Sequence, residues 1–314
     1  MFVIRRCRTI TAVAVMTTAL IACDEDSSRS SIQATDREAS VTTGPASGTL
    51  VVAGGNIKDA VIIERFVELA GGPGAPIVVV PTAAGGDINN LDWDFLEPFR
   101  DAGATHLTVL HTRDPAEAET DAFVAPLKEA RGVWFTGGRQ WRIADSYLGT
   151  RTETEFRAVL DRGGVIGGSS AGATIQGSYL ARGDSSTNTI MMGDHEQGFA
   201  YIRNVAIDQH VLVRNRQFDL IEIIEARPEL LGLGIDEDTA IVVTGDDFEV
   251  IGQGYVAVYD HDRIVGTNGR FYFLMPGDRF DMKKRQPLRP DDDSEPFAAI
   301  RMGGWNGANG GASN

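Results

Sequence analysis

From Thr49 onward the chain alternates short, unbroken β-branched runs with amphipathic segments, and few folds accommodate that alternation. The runs are Leu50-Val51-Val52, Ile77-Val78-Val79-Val80, Leu107-Thr108-Val109-Leu110, Val133-Trp134-Phe135 and Gly164-Val165-Ile166. Apolar character that does not alternate belongs to strands covered on both faces. Between the first two runs, Lys58 to Ala70 places Ile62, Phe66, Leu69 and Ala70 on one helical face, with Gly71 as a C-terminal stop. Thr154 to Leu160 repeats the pattern before Gly163. The expectation is an α/β fold: a mainly parallel sheet flanked by helices, with functional groups at the carboxyl ends of its strands. After Gly232, the runs Ala240 to Val243, Glu249 to Ile251 and Val256 to Tyr259 read as antiparallel strands added to that sheet.

The ends have a different character. Arg5, Arg6 and Arg8 precede a mostly apolar stretch, Ile10 to Ala22, too short to span a bilayer, so residues 1–22 read as an export signal. Leu20-Ile21-Ala22-Cys23 resembles the bacterial lipoprotein box, which makes Cys23 the expected site of lipidation. The protein is then expected to be exported and lipid-anchored in the bacterial envelope, meeting the membrane through that anchor only. Loss of residues 1–22 removes three arginines and no acid, taking the formal charge from −15 to −18. Residues 23–47 are polar and read as a flexible tether, 48–300 as one catalytic α/β domain, and 301–314 as a glycine-rich tail. Asp291-Asp292-Asp293 reads as a solvated loop.

Two classes of function drop out at once. The only cysteines are Cys7 and Cys23, which removes disulfide scaffolds, zinc–thiolate sites, iron–sulfur clusters and cysteine nucleophiles from the folded part. A net charge of −15 argues against nucleic-acid binding, which needs a basic face.

The sharpest local motif is Gly168-Ser169-Ser170-Ala171-Gly172, a G-x-S-x-G at the end of one strand and the start of a helix running on through Thr174-Ile175-Gln176. That is the setting of a nucleophile elbow, in which small neighbours allow a cramped turn to lift Ser170 off the backbone. The Ala171 N–H, at the expected helix N-terminus, is then a candidate oxyanion donor. A serine needs a base, and the chain offers His106, His111, His195, His210 and His261. His210 stands out because a strand-like lead, Ile207-Asp208-Gln209, delivers it into a charged segment containing Arg214 and Arg216. Glu237, in Gly234-Ile235-Asp236-Glu237-Asp238, is a candidate for the acid that orients the imidazole, although three adjacent acids also suit a solvated turn.

Taken together, these blocks resemble peptidase family S51, and within it the cyanophycinases more than the aspartyl dipeptidases. The resemblance runs from Gly48 to about Asp260 and rests on six segments in order. They are Leu50 to Asn56, Val80-Pro81-Thr82-Ala83, Phe135-Thr136-Gly137-Gly138-Arg139-Gln140, Gly168 to Gly172, Asp208-Gln209-His210 and Gly232 to Glu237. It implies a fold like class I glutamine amidotransferases and a triad of Ser170, His210 and Glu237. It also implies a substrate pocket of Gln140, Asp208, Gln209, Arg214 and Arg216, and the mechanism expected with it adds an N–H of Gly137-Gly138, taken as Gly138, to Ala171 in the oxyanion hole. The implied substrate is cyanophycin, a poly-aspartate carrying arginine in amide linkage, released as β-Asp-Arg dipeptides without metal or organic cofactor. Guanidinium forks suit its carboxylates, and an acid such as Asp208 suits its arginine. Related enzymes are dimers, so a homodimer is also expected. The chain departs from the family pattern at Asp219, where a third arginine is usual, and at Arg139, where aspartate is frequent. Rival readings are an aspartyl or isoaspartyl dipeptidase and a non-catalytic surface-binding lipoprotein. The order serine, histidine, acid counts against an α/β-hydrolase.

Overall fold

The computed structural model describes residues 42–86, 93–262 and 269–288. The expected signal 1–22, Cys23, the aspartates 291–293 and the tail 301–314 lie outside these described residues. Within the expected tether 23–47, residues 42–45 are packed rather than loose. Thr43 donates its N–H to Asp246 at 2.5 Å and accepts from the Arg203 N–H at 2.7 Å, and Gly44 and Pro45 are buried. The folded body therefore begins by Thr42, six residues before Gly48, because backbone hydrogen bonding holds a stretch whose composition alone reads as linker.

In chain order, the first half contains β1 (Thr49–Ala53), α1 (Ala60–Ala70), β2 (Pro76–Val80), α2 (Glu97–Asp101) and β3 (His106–Val109). It continues with α3 (Pro115–Ala118), α4 (Asp121–Glu129), β4 (Gly132–Phe135), α5 (Gln140–Tyr147), α6 (Arg151–Asp161) and β5 (Val165–Ser169). Next come α7 (Ala171–Thr174), β6 (Gly177–Tyr179), β7 (Ile202–Gln209), α8 (Leu220–Ala226) and β8 (Leu231–Ile235). The remainder is strand: β9 (Thr239–Thr244), β10 (Asp247–Gly252), β11 (Val256–Asp260), β12 (Tyr272–Leu274), β13 (Arg279–Asp281) and β14 (Gln286–Leu288).

These strands make two sheets where the sequence suggests one. The larger runs β14-β13-β10-β9-β1-β5-β4-β2-β3; its parallel half is β1, β5, β4, β2 and β3, and the rest is antiparallel. The second runs β12-β11-β8-β7-β6, parallel across β6, β7 and β8. Of the three C-terminal runs expected to extend the main sheet, β9 and β10 do so, but β11 joins β8 in the second sheet. Leu231-Gly232-Leu233-Gly234-Ile235 is a buried strand whose glycines make room for a ring. A Cβ at Gly232 would lie 2.9 Å from the Tyr259 Cβ, and one at Gly234 would lie 3.2 Å from the Tyr259 ring.

Burial on both faces follows the pattern of the runs. Leu50, Val52, Val78, Val80 and Phe135 point into the core shared with α4 to α6 and the second sheet. Their neighbours Val51, Ala53, Ile77, Val79 and Trp134 point into the core beneath α1 and α2. There Trp134 meets Phe66 and Phe99 edge-to-face at centroid separations of 5.0 and 5.6 Å. Such pairs each add about 0.5–1.5 kcal/mol beyond area burial. Helix α1 begins one residue after Asp59, whose carboxylate caps the Val61 N–H at 3.0 Å, and ends at Gly71 with φ 112°.

Candidate active site

Strand β5 ends in the elbow expected around Ser170. Ser170 has φ 54° and ψ −112°, a conformation that side-chain-bearing residues rarely adopt. The turn is held by the Ser170 N–H on the Ala53 carbonyl at 2.9 Å and by the Ala173 and Thr174 N–H groups on the Ser170 carbonyl, each at 3.0 Å. The flanking glycines are sites of backbone-on-backbone approach: a Cβ at Gly172 would fall 2.1 Å from the Phe135 carbonyl oxygen. The expected helix through Gln176 is shorter than its composition suggests. Helix α7 is a single turn, since β6 begins at Gly177. Local N–H groups, rather than a summed helix dipole, are therefore what this corner offers to negative charge. The Gly137–Gly138 turn runs beside the serine: a Cβ at Gly137 would sit 3.3 Å from the Ser170 Cβ. Gly138 has φ 143° and packs against the Ala83 carbonyl.

His210 follows the last residue of β7, and Glu237 lies in the link from β8 to β9. The serine thus comes from the main sheet, the histidine from the second sheet, and the acid from the chain that crosses between them. The His210 Nε2 is 2.9 Å from the Ser170 Oγ, and its Nδ1 is 2.6 Å from the Glu237 Oε1. Because a carboxylate only accepts, Nδ1–H donates to Glu237 and Nε2 is left to accept from the serine hydroxyl. The other four histidines bond elsewhere, His111 to Thr82 and His195 to Asp145 and Asp194 among them.

The first β-strand turn supplies the rest of the frame. Gly54 accepts the His210 N–H at 3.2 Å, and a Cβ at Gly55 would lie 2.3 Å from the His210 Cε1. Gly55, with φ 118°, is therefore the space in which the imidazole sits. Asn56 donates to the Glu237 Oε2 at 2.5 Å, so each carboxylate oxygen has its own donor. Burial pushes the Glu237 carboxyl upward, but the hydrogen bonds from Asn56 and His210 and the charge of Arg214 outweigh it and hold the group below its ordinary value. Burial lowers His210, and the Arg214 and Arg216 guanidiniums add to this against the hydrogen bond to Glu237. The imidazole is thus kept neutral near neutral pH.

The expected pocket residues divide. Arg214 is half exposed, with Nε 4.0 Å from the Glu237 Oε1, and Arg216 is partly buried with Nη1 3.3 Å from the Gln209 Oε1. Three others are committed inward. Gln140 is fully buried and donates to the Ala181 and Arg182 carbonyls at 2.7 and 2.9 Å, bracing that segment. Gln209 is buried and faces Arg216. Asp208, expected to receive a substrate arginine, is buried and already holds Arg182, with Nε on Oδ1 at 2.7 Å and Nη2 on Oδ2 at 2.9 Å. Arg182 also reaches Asp219, and Arg139 donates to the Asp184 and Thr187 carbonyls, so both departures from the family pattern fasten the segment that begins at Arg182. Sequence reasoning missed Asn56 and Arg182. Asn56 had a usable signal, a side-chain amide directly after a Gly-Gly turn, whereas Arg182 lies in a loop with no pattern around it.

Known proteins resemble more than half of this chain. The sequence pattern of peptidase family S51 matches residues 49–251. The cyanophycinase of Geminocystis herdmanii is 32% identical over 262 residues, covering 77% of this chain and 96% of that relative. The cyanophycinase of a Nostoc species is 30% identical over 272 residues, covering 78% and 90%. Among solved structures, a peptidase from an acI-B1 Actinobacterium superposes with a TM-score of 0.56 at 21% identity, covering 75% of this chain and 97% of its own, a likeness of fold. A match that opens at β1 and closes within β10 takes in every element bearing Asn56, Ser170, His210 and Glu237, and with relatives at this identity it makes the chain a member of peptidase family S51, a serine-type peptidase.

Proposed function

We propose that this peptidase hydrolyses cyanophycin to β-Asp-Arg dipeptides through Ser170, His210 and Glu237. The observation that carries the reading is the continuous hydrogen-bonded line from the Ser170 Oγ through both His210 nitrogens to Glu237, at 2.9 and 2.6 Å. Curated relatives named cyanophycinase support the choice of substrate. Ser170 attacks the backbone carbonyl of a substituted aspartyl residue, and its proton passes to the His210 Nε2. Glu237 keeps the Nδ1 proton in place and stabilises the imidazolium. The tetrahedral oxyanion is met by backbone N–H groups of Ala171 and the Gly137–Gly138 turn. His210 then protonates the leaving amine, the peptide bond breaks, and an ester to Ser170 remains. Water, deprotonated by His210, attacks the ester and restores the serine hydroxyl. Arg214 and Arg216 receive substrate carboxylates. Export with lipidation at Cys23 belongs to the same reading, because an insoluble polymer has to be degraded where it lies.

The test is to incubate the purified protein with cyanophycin granules and, separately, with α- and β-aspartyl dipeptides, and to identify the products by mass. The proposal expects β-Asp-Arg from the granules. Cleavage of the dipeptides alone would replace it with an aspartyl dipeptidase.

A further inference from the structure

The acids around the site are already committed. The Asp236 Oδ1 accepts the Leu212 and Val213 N–H groups, and the Asp238 Oδ1 accepts those of Lys58 and Asp59. Glu237 is held by His210 and Asn56. Asp208 is 1% exposed, and both its oxygens are occupied, Oδ1 by the Arg182 Nε and the Gln209 N–H and Oδ2 by the Arg182 Nη2. Asp219 stands at the N-cap position of α8, yet its side chain makes no capping bond and turns to Arg182 instead. Arg182 is 2% exposed and uses its remaining Nη1 on the Asn188 carbonyl at 3.0 Å.

The bases are in the opposite condition. Arg216 has no carboxylate within ion-pair distance among the described residues and rests on the neutral Gln209 amide. Arg214 is 4.0 Å from a Glu237 oxygen that already belongs to His210. A chain with 44 acids and 29 lysines and arginines thus surrounds its proposed triad with buried acids that are already paired, while Arg214 and Arg216 have no carboxylate of their own.

We propose that Arg182 is a positioning residue that sets specificity: its guanidinium fills the niche between Asp208 and Asp219 as a resident cation, so the site selects substrates by their carboxylates and does not use arginine side chains as a handle. The inference rests on the proposed function for its substrate, but it concerns charge selection at the site and can be decided separately. A guanidinium already held bidentate by a buried carboxylate leaves no acceptor for a second one. Removing Arg182 would leave the Asp208 charge uncompensated and create the cation site that the unaltered enzyme lacks.

The experiment uses short synthetic segments of the branched polymer in three forms: with arginine, with citrulline (same shape, no charge), and with the branch carboxylates converted to carboxamides. For the unaltered enzyme, citrulline should change kcat/KM by less than about threefold, and carboxamides should lower it more than about tenfold, through KM. A loss with citrulline as large as that with carboxamides overturns the proposal. In Arg182→Gln, a preference for arginine over citrulline of about tenfold should appear, and Arg182→Lys should suppress it again. A merely structural role would instead depress all three segments equally. Should Arg182→Gln fail to fold, the comparison on the unaltered enzyme decides alone. If the enzyme cleaves aspartyl dipeptides but no branched segment, the substrate reading fails, and the same comparison on Asp-Arg, Asp-citrulline and amidated Asp-Arg decides the inference.

Discussion

A single absent methyl group shapes the base of this site. The Cβ of an alanine at position 55 would lie 2.3 Å from the His210 Cε1, and φ 118° is unfavourable for any side chain. Gly55→Ala is expected to push the imidazole off Ser170 and lower kcat about 100-fold or more, as displacements near 1 Å do. Steady-state kinetics on variant whose circular dichroism matches the parent checks this. Arg214 offers a test of sign. His210 acts as a base only when neutral, so activity is lost as pH falls through its pKa, which lies below the ordinary 6.5. Removing a nearby positive charge raises that pKa, so Arg214→Gln should move the acid limb of the kcat/KM profile to higher pH. A shift to lower pH would contradict the assignment of burial and guanidinium charge as its causes.

The glycines of β5 divide their work between packing and the elbow. Gly167 faces Trp134 on the neighbouring strand, where a Cβ would fall 2.3 Å from the indole, and Gly168 lets α7 approach. Gly167→Ala should therefore cost about 1–3 kcal/mol of stability by overpacking, read as a lower denaturant midpoint, and Trp134→Phe in the same chain should recover part of it. Elements whose burial runs along the sequence could be read from it: the five parallel strands, the face and Gly71 stop of α1, and the elbow at Ser170. What could not be read has physical causes. The strand holding Gly232 and Gly234 carries no run of β-branched residues, because the ring that fills the glycines' space, Tyr259, lies on another strand. The inward commitment of Asp208 depends on Arg182, 26 residues earlier and in no repeating pattern. The proposed triad of Ser170, His210 and Glu237 draws on positions that follow strands and so stand out in the sequence, whereas Asn56 makes its contact 181 residues away.

The two sheets place Ser170 and His210 on separate frameworks, bridged by the chain that carries Glu237. Loosening that seam should cost activity before it costs folding. The surplus of acids, −15 overall, keeps the molecule far from neutrality, which favours solubility. For the expected anchor, Cys23→Ala should move the protein from the membrane to the soluble fraction in a bacterial host, and intact mass should show loss of the acyl groups. Equal membrane content in both forms would contradict lipidation at Cys23. The most direct measurement is release of β-Asp-Arg from cyanophycin granules by purified parent and Ser170→Ala protein, with granule binding measured in parallel. Ser170→Ala is expected to bind the granules and release product only at background rate; release at the parent rate would contradict Ser170 as the nucleophile.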